Sequence, residues 1–252
     1  MITLMQGDCL ELMKEIPDGS VDLAITSPPY NMNLRVSAKP DGSYRYHSRQ
    51  IVKEISTKYN NFDDNLPLDD LFEFNTKVIE ELMRVSGLVF YNIQFLTGNK
   101  PAFLRLMGHF SEYIKEMIIW DKGSAQPAIG GGVLNSQFEV ILVFSKSDAA
   151  TRKFKQAAFE RGTLSNLWTI KRGTKNCKTH GAIFPEELVE TILKNFSASG
   201  DTVLDPFTGT GTTGIVSKRL DRSFIGIELD VDYFKLAKER IECINPLEEF
   251  FE

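Results

Sequence analysis

Ser27-Pro28-Pro29-Tyr30 stands directly after a short apolar run, Val21 to Thr26, that reads as a buried β-strand. Two successive prolines cannot extend a strand ladder. They fix φ twice and hold the Pro28 carbonyl in one direction. A hydroxyl, a rigid carbonyl and an aromatic face are the groups needed to grip an exocyclic amine on a planar base. Such a nitrogen is a poor nucleophile, because its lone pair is delocalised into the ring. Two acceptors, the Ser27 side chain and the Pro28 carbonyl, can hold its two N–H bonds and favour a pyramidal nitrogen aimed at a methyl donor, a gain of positioning and electrostatics. Tyr30 can stack on the base, and a base in duplex DNA must be flipped out to arrive there. An isolated Pro-Pro-Tyr is more simply a rigid strand end, so its neighbours carry the weight.

The second cluster is Thr202 to Asp205 followed by Pro206-Phe207-Thr208-Gly209-Thr210-Gly211-Thr212-Thr213-Gly214, which puts G-x-G-x-x-G between a strand and a helix. In a dinucleotide site the first glycine follows the strand directly and an acid ends the next strand. Glu228 supplies such an acid, but Asp205-Pro206-Phe207-Thr208 intervenes and brings a carboxylate to the strand end. A carboxylate there repels a pyrophosphate. It suits a cofactor with a cationic amino-acid end, which S-adenosylmethionine carries. A nicotinamide-dependent oxidoreductase is the competing enzyme class, and a tight turn with no ligand is the plainer reading.

The elements that position these residues alternate along the chain. Ile2 to Gln6 and Val21 to Thr26 are strands around a helical stretch, Cys9 to Glu15. Leu68 to Arg84 has helical periodicity through Leu71, Phe74, Val78 and Leu82 and leads to a strand at Gly87 to Ile93; Lys100 to Phe110 is helical. Ile114 to Trp120 and Phe138 to Phe144 lack a helix between them and predict an antiparallel pair. From Pro185 a helix runs to Phe196, then come strand Thr202 to Asp205, helix Gly211 to Leu220, strand Ser223 to Glu228 and helix Val231 to Cys243. This is an α/β arrangement with a mostly parallel sheet, expected to form one domain over 1–252. Segments 31–67 and 148–180 fit no element, and loops of that length are usually functional.

Those two segments are also the basic ones. The net charge is −5, yet residues 151–180 hold eight Lys or Arg against Glu160, and residues 31–59 hold six against Asp41 and Glu54. Such segregation suits a protein that offers two patches to a phosphate backbone, with Arg35, Arg45, Lys153, Arg161, Lys171, Arg172 and Lys175 as candidate DNA contacts; two solvated loops are the bland alternative. The 252 residues are enough for a sizeable core. Short apolar runs and an N-terminus without a signal pattern disfavour a membrane span or secretion. Cys9, Cys177 and Cys243 lie far apart, as free thiols of a reducing cytosol do, and neither a disulfide framework nor a metal is expected. His47 and His109 have no partner pattern.

With both motifs in view, the chain resembles the amino-directed DNA methyltransferases of the β class, in which the catalytic motif precedes the cofactor motif. Ser27-Pro28-Pro29-Tyr30 is similar to the family's catalytic motif, and Asp205 to Thr213 to its methionine-binding motif. The resemblance implies that Asp8, within Gly7-Asp8-Cys9, contacts the cofactor adenine and that Glu228 binds its ribose. It implies that His180 with Phe184-Pro185 closes over the methionine moiety, and that Phe138-Glu139 lines the target-base pocket. The implied fold is a Rossmann-like methyltransferase domain with circularly permuted elements and a seven-stranded sheet containing one antiparallel strand. The implied activity is methyl transfer from S-adenosylmethionine to an exocyclic amine in double-stranded DNA. Ser at the head of the motif leans to cytosine N4, with adenine N6 as the alternative. Residues 148–180 become a short target-recognition insert and 31–67 a catalytic and DNA-contact region. A cytoplasmic setting, bacterial or phage, and a restriction-modification role go with the family, as do a second copy of the chain and a cognate restriction endonuclease as partners. A catalytically silent nucleic-acid binder remains the alternative from another class, and RNA or protein substrates stay open, although the motif order disfavours the protein-glutamine methylases.

Overall fold

A computed structural model describes residues 1–31, 34–38, 44–48, 64–126, 132, 134–155, 157–171 and 184–244, with 34–38, 44–48 and 125–126 described by their backbone. Strands are β1 (Ile2–Gln6), β2 (Val21–Thr26), β3 (Leu34–Ala38), β4 (Tyr44–Ser48), β5 (Ser86–Ile93), β6 (Ile114–Gln126), β7 (Ser136–Phe144), β8 (Leu167–Thr169), β9 (Thr202–Asp205) and β10 (Ser223–Glu228). Helices are α1 (Cys9–Leu12), continued by a 3₁₀ turn at Met13–Glu15, then α2 (Leu68–Val85), α3 (Lys100–His109), α4 (Glu186–Phe196), α5 (Thr212–Arg219) and α6 (Val231–Glu242).

One sheet takes eight of the strands in the order β1-β10-β9-β2-β5-β7-β6-β8. Pairing is parallel from β1 to β5, antiparallel on both sides of β7, and parallel between β6 and β8. The expected seven strands and single antiparallel strand are present. The eighth, β8, corrects the expectation that 148–180 fits no element: Leu167, Trp168 and Thr169 pair with Ile119, Trp120 and Asp121. Three residues carry no periodic signal, so only the neighbouring edge of β6 makes them a strand. Segment 31–67 likewise holds a separate antiparallel hairpin, β3 with β4, in which Arg35 lies opposite His47 and Arg45 opposite Ser37.

Helices cover both faces of the sheet, so its central strands are apolar on both sides. Side chains alternate accordingly. Val89, Tyr91 and Ile93 of β5 and Val140, Leu142 and Phe144 of β7 pack with α2 and α3 residues such as Val78, Leu82 and Phe103. Phe90, Ile141 and Val143 point the other way, to Leu188, Ile192 and Phe196 of α4 and Val216 of α5. Helix α2 places Asp69 and Asp70 in its first turn and Arg84 in its last, the signs that complement the helix dipole. Arg84 also caps the turn after α1, donating to the Met13 and Ile16 carbonyls at 2.8 and 3.0 Å. No helix among the described residues is long and apolar enough to cross a membrane.

The parallel register fixes where chemistry can occur. Gln6 pairs with Glu228, Gly226 with Asp205, and Thr26 with Tyr91. The carboxyl ends of β1, β10, β9, β2 and β5 therefore share one edge, where open α/β sheets bind ligands. Because β7 runs the other way, its amino end arrives at the same edge: Val140 pairs with Ile93, and Glu139 with Trp120.

Candidate active site

Both sequence motifs meet at that edge. Thr26, the last residue of β2, donates from Oγ1 to Asp205 Oδ1 at 2.8 Å. Asp205 Oδ1 also accepts the Phe207 N–H at 3.0 Å, and Oδ2 accepts Thr213 Oγ1 at 2.7 Å. One carboxylate thus ties the end of β2, the Pro206-Phe207 turn and the start of α5. Pro206, next in sequence to Asp205, and Thr212, next to Thr213, are both buried, and the Phe207 ring packs against Phe74 with centroids 6.1 Å apart. Glycine is required in this turn for two different reasons. Gly211 has φ +86°, and a Cβ there would lie 3.1 Å from Ala237 Cα; Gly214 approaches α6 and β10 so closely that a Cβ would meet Ile241 at 2.4 Å and Phe224 at 2.7 Å.

Glu228, at the end of β10, is held in the same manner. Its Oε2 accepts the Gly209 N–H at 2.7 Å and its Oε1 the Asp230 N–H at 2.8 Å. Burial pushes Asp205 up to about 6 and Glu228 up to about 7, partly offset by these hydrogen bonds and, at Glu228, reinforced by the nearby Asp205 charge. Neither carboxylate forms an ion pair among the described residues. Two desolvated acids fixed by backbone and hydroxyl donors fit a ligand that brings a cation and hydroxyl groups of its own.

Asp8 has a structural task as well: Oδ1 caps α1, accepting the Leu10 and Glu11 N–H groups at 2.8 and 3.3 Å. Cys9 is buried in the core, and burial with the adjacent Asp8 charge pushes its thiol up to about 12. Pro185 precedes α4 and its carbonyl accepts the Leu188 N–H at 3.1 Å, while the Phe184 ring sits edge-on to Trp120 at 6.3 Å. His180, Arg172 and Lys175 lie outside the described residues.

Pro28 and Pro29 are buried, and Ser27 and Tyr30 are half-buried. Among the described residues no donor reaches the Pro28 carbonyl, in keeping with its place beyond the last ladder pair of β2. The Tyr30 backbone is clamped by Asn99, which donates to the Tyr30 carbonyl at 2.6 Å, and Asn31 follows with φ +57°. Ser27 Oγ is 2.5 Å from Tyr30 Oη, which donates to Glu139 Oε2 at 3.1 Å. Asn92 donates to Tyr30 Oη at 2.5 Å and to Glu139 Oε2 at 2.7 Å, and Lys122 Nζ reaches Glu139 Oε1 at 3.2 Å. Sequence reasoning placed Glu139 here only through the family resemblance, and it missed Asn92, Asn99 and Lys122. Asn92 carried a readable signal, a polar residue inside the apolar run Leu88 to Ile93, because a buried amide needs partners.

The described part of the basic segment spans the sheet from one edge to the other. Lys171 follows β8 on the site edge, where its Cγ would lie 3.6 Å from a Cβ on Gly123. Lys153 and Arg161 belong to the stretch before β8, which is anchored at the opposite edge: Lys115, at the start of β6, donates to the Asp148 and Thr151 carbonyls at 2.9 and 2.8 Å, and the Ala158 N–H to Asn195 at the end of α4. From Lys115 to Gly123 the strand covers roughly 26 Å at ~3.3 Å per residue. Lys153 and Lys171, neighbours in one basic segment of the sequence, thus stand toward different edges of the sheet, since charge alone does not report which edge a loop is tied to.

A family model described as DNA methylase matches residues 21–239. The chain belongs to the DNA methylase family. Within curated members, type II methyltransferase M.HinfI of Haemophilus influenzae is 30% identical over 256 residues, covering 97% of this chain and 69% of that protein. Type II methyltransferase M2.DpnII of Streptococcus pneumoniae is 27% identical, covering 96% and 90%. The fold matches that of the PvuII DNA methyltransferase (cytosine-N4-specific), with TM-score 0.69, 19% identity and coverage of 97% and 88%. It also matches a DNA modification methylase of Thermus thermophilus, TTHA0409, complexed with S-adenosyl-L-methionine, with TM-score 0.64, 24% identity and coverage of 96% and 93%. This methylase chain is thus a DNA methyltransferase of the N4-cytosine/N6-adenine family.

Proposed function

We propose that the chain transfers a methyl group from S-adenosylmethionine to the exocyclic amine of a base flipped out of double-stranded DNA. The observation that carries the reading is the junction of the two motifs, Ser27-Pro28-Pro29-Tyr30 and the Asp205 turn, through the 2.8 Å Thr26–Asp205 hydrogen bond. Asp205 and Glu228 are the residues for the cationic and ribose ends of the donor, with Asp8, Cys9, Phe184, Pro185, Pro206, Phe207, Gly209, Gly211, Thr212 and Thr213 around them and His180 in the adjoining segment. When bound, S-adenosylmethionine supplies an electrophilic sulfonium methyl group.

The remaining work falls to the chain. Ser27 Oγ and the Pro28 carbonyl accept the two N–H bonds and turn the nitrogen lone pair away from the ring system. Tyr30, held at its hydroxyl and its carbonyl, stacks on the flipped base. Lys171, with Arg172 and Lys175 and with Arg35 and Arg45 of the hairpin, meets phosphate. Both acceptors read an amine and not a ring, so they do not choose the base; the family resemblance, through Ser at the head of the motif, gives cytosine N4 as the first expectation and adenine N6 as the alternative.

The test is to incubate the protein with S-adenosylmethionine and unmethylated duplex DNA, digest to nucleosides and identify the product by mass spectrometry. The expected product is 4-methylcytosine. 6-Methyladenine keeps the mechanism and reverses the base, and no methylated nucleoside across varied DNA sequences refutes the reading. Ser27→Ala is expected to abolish turnover while S-adenosylmethionine still binds.

A further inference from the structure

The Ser27 hydroxyl sits at the end of a chain of hydrogen bonds whose far end is an anion. Ser27 Oγ is 2.5 Å from Tyr30 Oη, and Tyr30 Oη is 3.1 Å from Glu139 Oε2. Asn92 Nδ2 lies against the same atoms, 2.5 Å from Tyr30 Oη, 2.7 Å from Glu139 Oε2 and, at the limit of a hydrogen bond, 3.5 Å from Ser27 Oγ. Behind Glu139 stands Lys122, with its side chain fully buried and Nζ 3.2 Å from Oε1. The strands bring these groups together from four places in the sequence: Tyr30 after β2, Asn92 on β5, Lys122 on β6 and Glu139 on β7.

The direction of the chain follows from proton inventory. An ionised carboxylate only accepts, and among the described residues it is the strongest acceptor within reach of the single phenolic proton of Tyr30. The Asn92 amide also donates, to Tyr30 Oη and to Glu139. Tyr30 Oη therefore offers Ser27 a lone pair, and the Ser27 proton turns toward it. What Ser27 Oγ keeps for the substrate side is lone pairs, the complement of an amine N–H. The opposite polarity, with Ser27 donating outward, would set an O–H against an N–H.

We propose that Glu139, with Lys122 as its counter-charge, is a positioning residue for methyl transfer: it fixes the direction of the Tyr30–Ser27 hydroxyl chain so that Ser27 meets the target amine as an acceptor. The inference rests on the amine-gripping role of Ser27 given above. Lys122 makes the arrangement tenable, since a carboxylate buried without a cation is strongly disfavoured by its lost hydration. Asn92 assists by filling the remaining acceptor site on Tyr30 Oη.

Glu139→Gln keeps the shape of the side chain but removes the obligate acceptor. In single-turnover methylation of duplex DNA, its rate is expected to fall by about 30-fold or more, with the Kd for S-adenosylmethionine within about 3-fold of wild type. Tyr30→Phe cuts the same chain one link nearer Ser27, so adding Glu139→Gln in that background is expected to cost less than about 3-fold; a residue acting only through packing would multiply through both backgrounds. If Glu139→Gln does not fold because Lys122 loses its ion pair with Glu139, the Glu139→Gln/Lys122→Met double variant removes both charges and carries the same expectation. A Glu139→Gln rate near wild type, or fully multiplicative losses with Tyr30→Phe, overturns the proposal. If Ser27→Ala loses turnover while Glu139→Gln keeps it, only the role of Glu139 falls; wild-type turnover that survives Ser27→Ala refutes the parent reading as well.

Discussion

Thr26 Oγ1 donates a 2.8 Å hydrogen bond to Asp205 Oδ1, joining residues 179 positions apart at the end of two adjacent parallel strands. The end of the strand that leads into Ser27-Pro28-Pro29-Tyr30 is thereby fixed to the Asp205 turn, the two segments to which the proposed reaction assigns the target amine and the methyl donor. Transfer between two bound partners depends on such alignment, because a small misplacement of the reacting atoms lowers the rate steeply. Thr26→Val keeps the shape and removes the donor from a buried carboxylate. Expected are a stability loss of about 1–3 kcal/mol in urea unfolding and a turnover loss larger than the loss of donor affinity. Unaltered turnover in a folded variant would show that the bond does not align the two motifs.

Asp205 and Glu228 make stability and binding respond to pH in opposite senses. Burial raises them to about 6 and about 7, whereas in the unfolded chain carboxyl groups ionise at about 4. The folded state thus holds extra protons between these values, and the stability they contribute is complete below about pH 4 and lost as pH rises through the folded values. Binding of a cation favours the ionised pair. S-adenosylmethionine affinity is expected to rise at least about tenfold between about pH 5.5 and 8, with protons released on binding below neutrality. Calorimetry in buffers of differing ionisation enthalpy measures both, and a flat affinity would remove the pair from the donor site. Asp205→Ala and Glu228→Ala should each weaken donor binding.

Gly211→Ala meets two penalties at once. Its φ of +86° is unfavourable to any Cβ, and that Cβ would press on the Ala237 backbone at 3.1 Å; at Gly19, φ is +64° with nothing within 4 Å. Gly19→Ala should cost about 1 kcal/mol from backbone strain alone, and Gly211→Ala about 2 kcal/mol or more once packing is added. Urea midpoints for the two variants measure the difference, and equal losses would mean that α6 yields to the methyl group.

The basic residues should separate by edge. Replacing Lys171, Arg172 and Lys175 with Gln should weaken duplex binding and flatten the log Kd against log salt plot by about one unit per lost phosphate contact. Lys153→Gln and Arg161→Gln, tied to the far edge, should leave the slope unchanged. Fluorescence anisotropy at several salt concentrations tests the pair of expectations. A slope change at Lys153 would place DNA over both edges.

Much of the fold was legible because its signals are local. The apolar runs of β2, β5, β7, β9 and β10, the periodicity of α2 and the prolines and glycines that stop them are properties of short windows, and the strands at Thr202–Asp205 and Ser223–Glu228 match the expected limits residue for residue. The two motifs were legible for the same reason: Ser27 to Tyr30 and Asp205 to Thr213 are contiguous, so their residue types and spacing stand in the sequence itself. Tertiary structure decided what joins distant positions. Strand β8 exists only by pairing with β6, and Lys153 parts from Lys171 only because the loop between them is anchored to Lys115 and Asn195. Asn92 meets Tyr30 because β5 lies parallel beside β2, and Glu139, with Lys122 behind it, meets Tyr30 because β7 runs antiparallel and returns its first residues to the same sheet edge. A one-dimensional pattern records which face a side chain takes along its own strand. Which strands become neighbours, and in which direction, is set by how the whole chain buries its apolar faces, and that assembled the charge network behind Ser27.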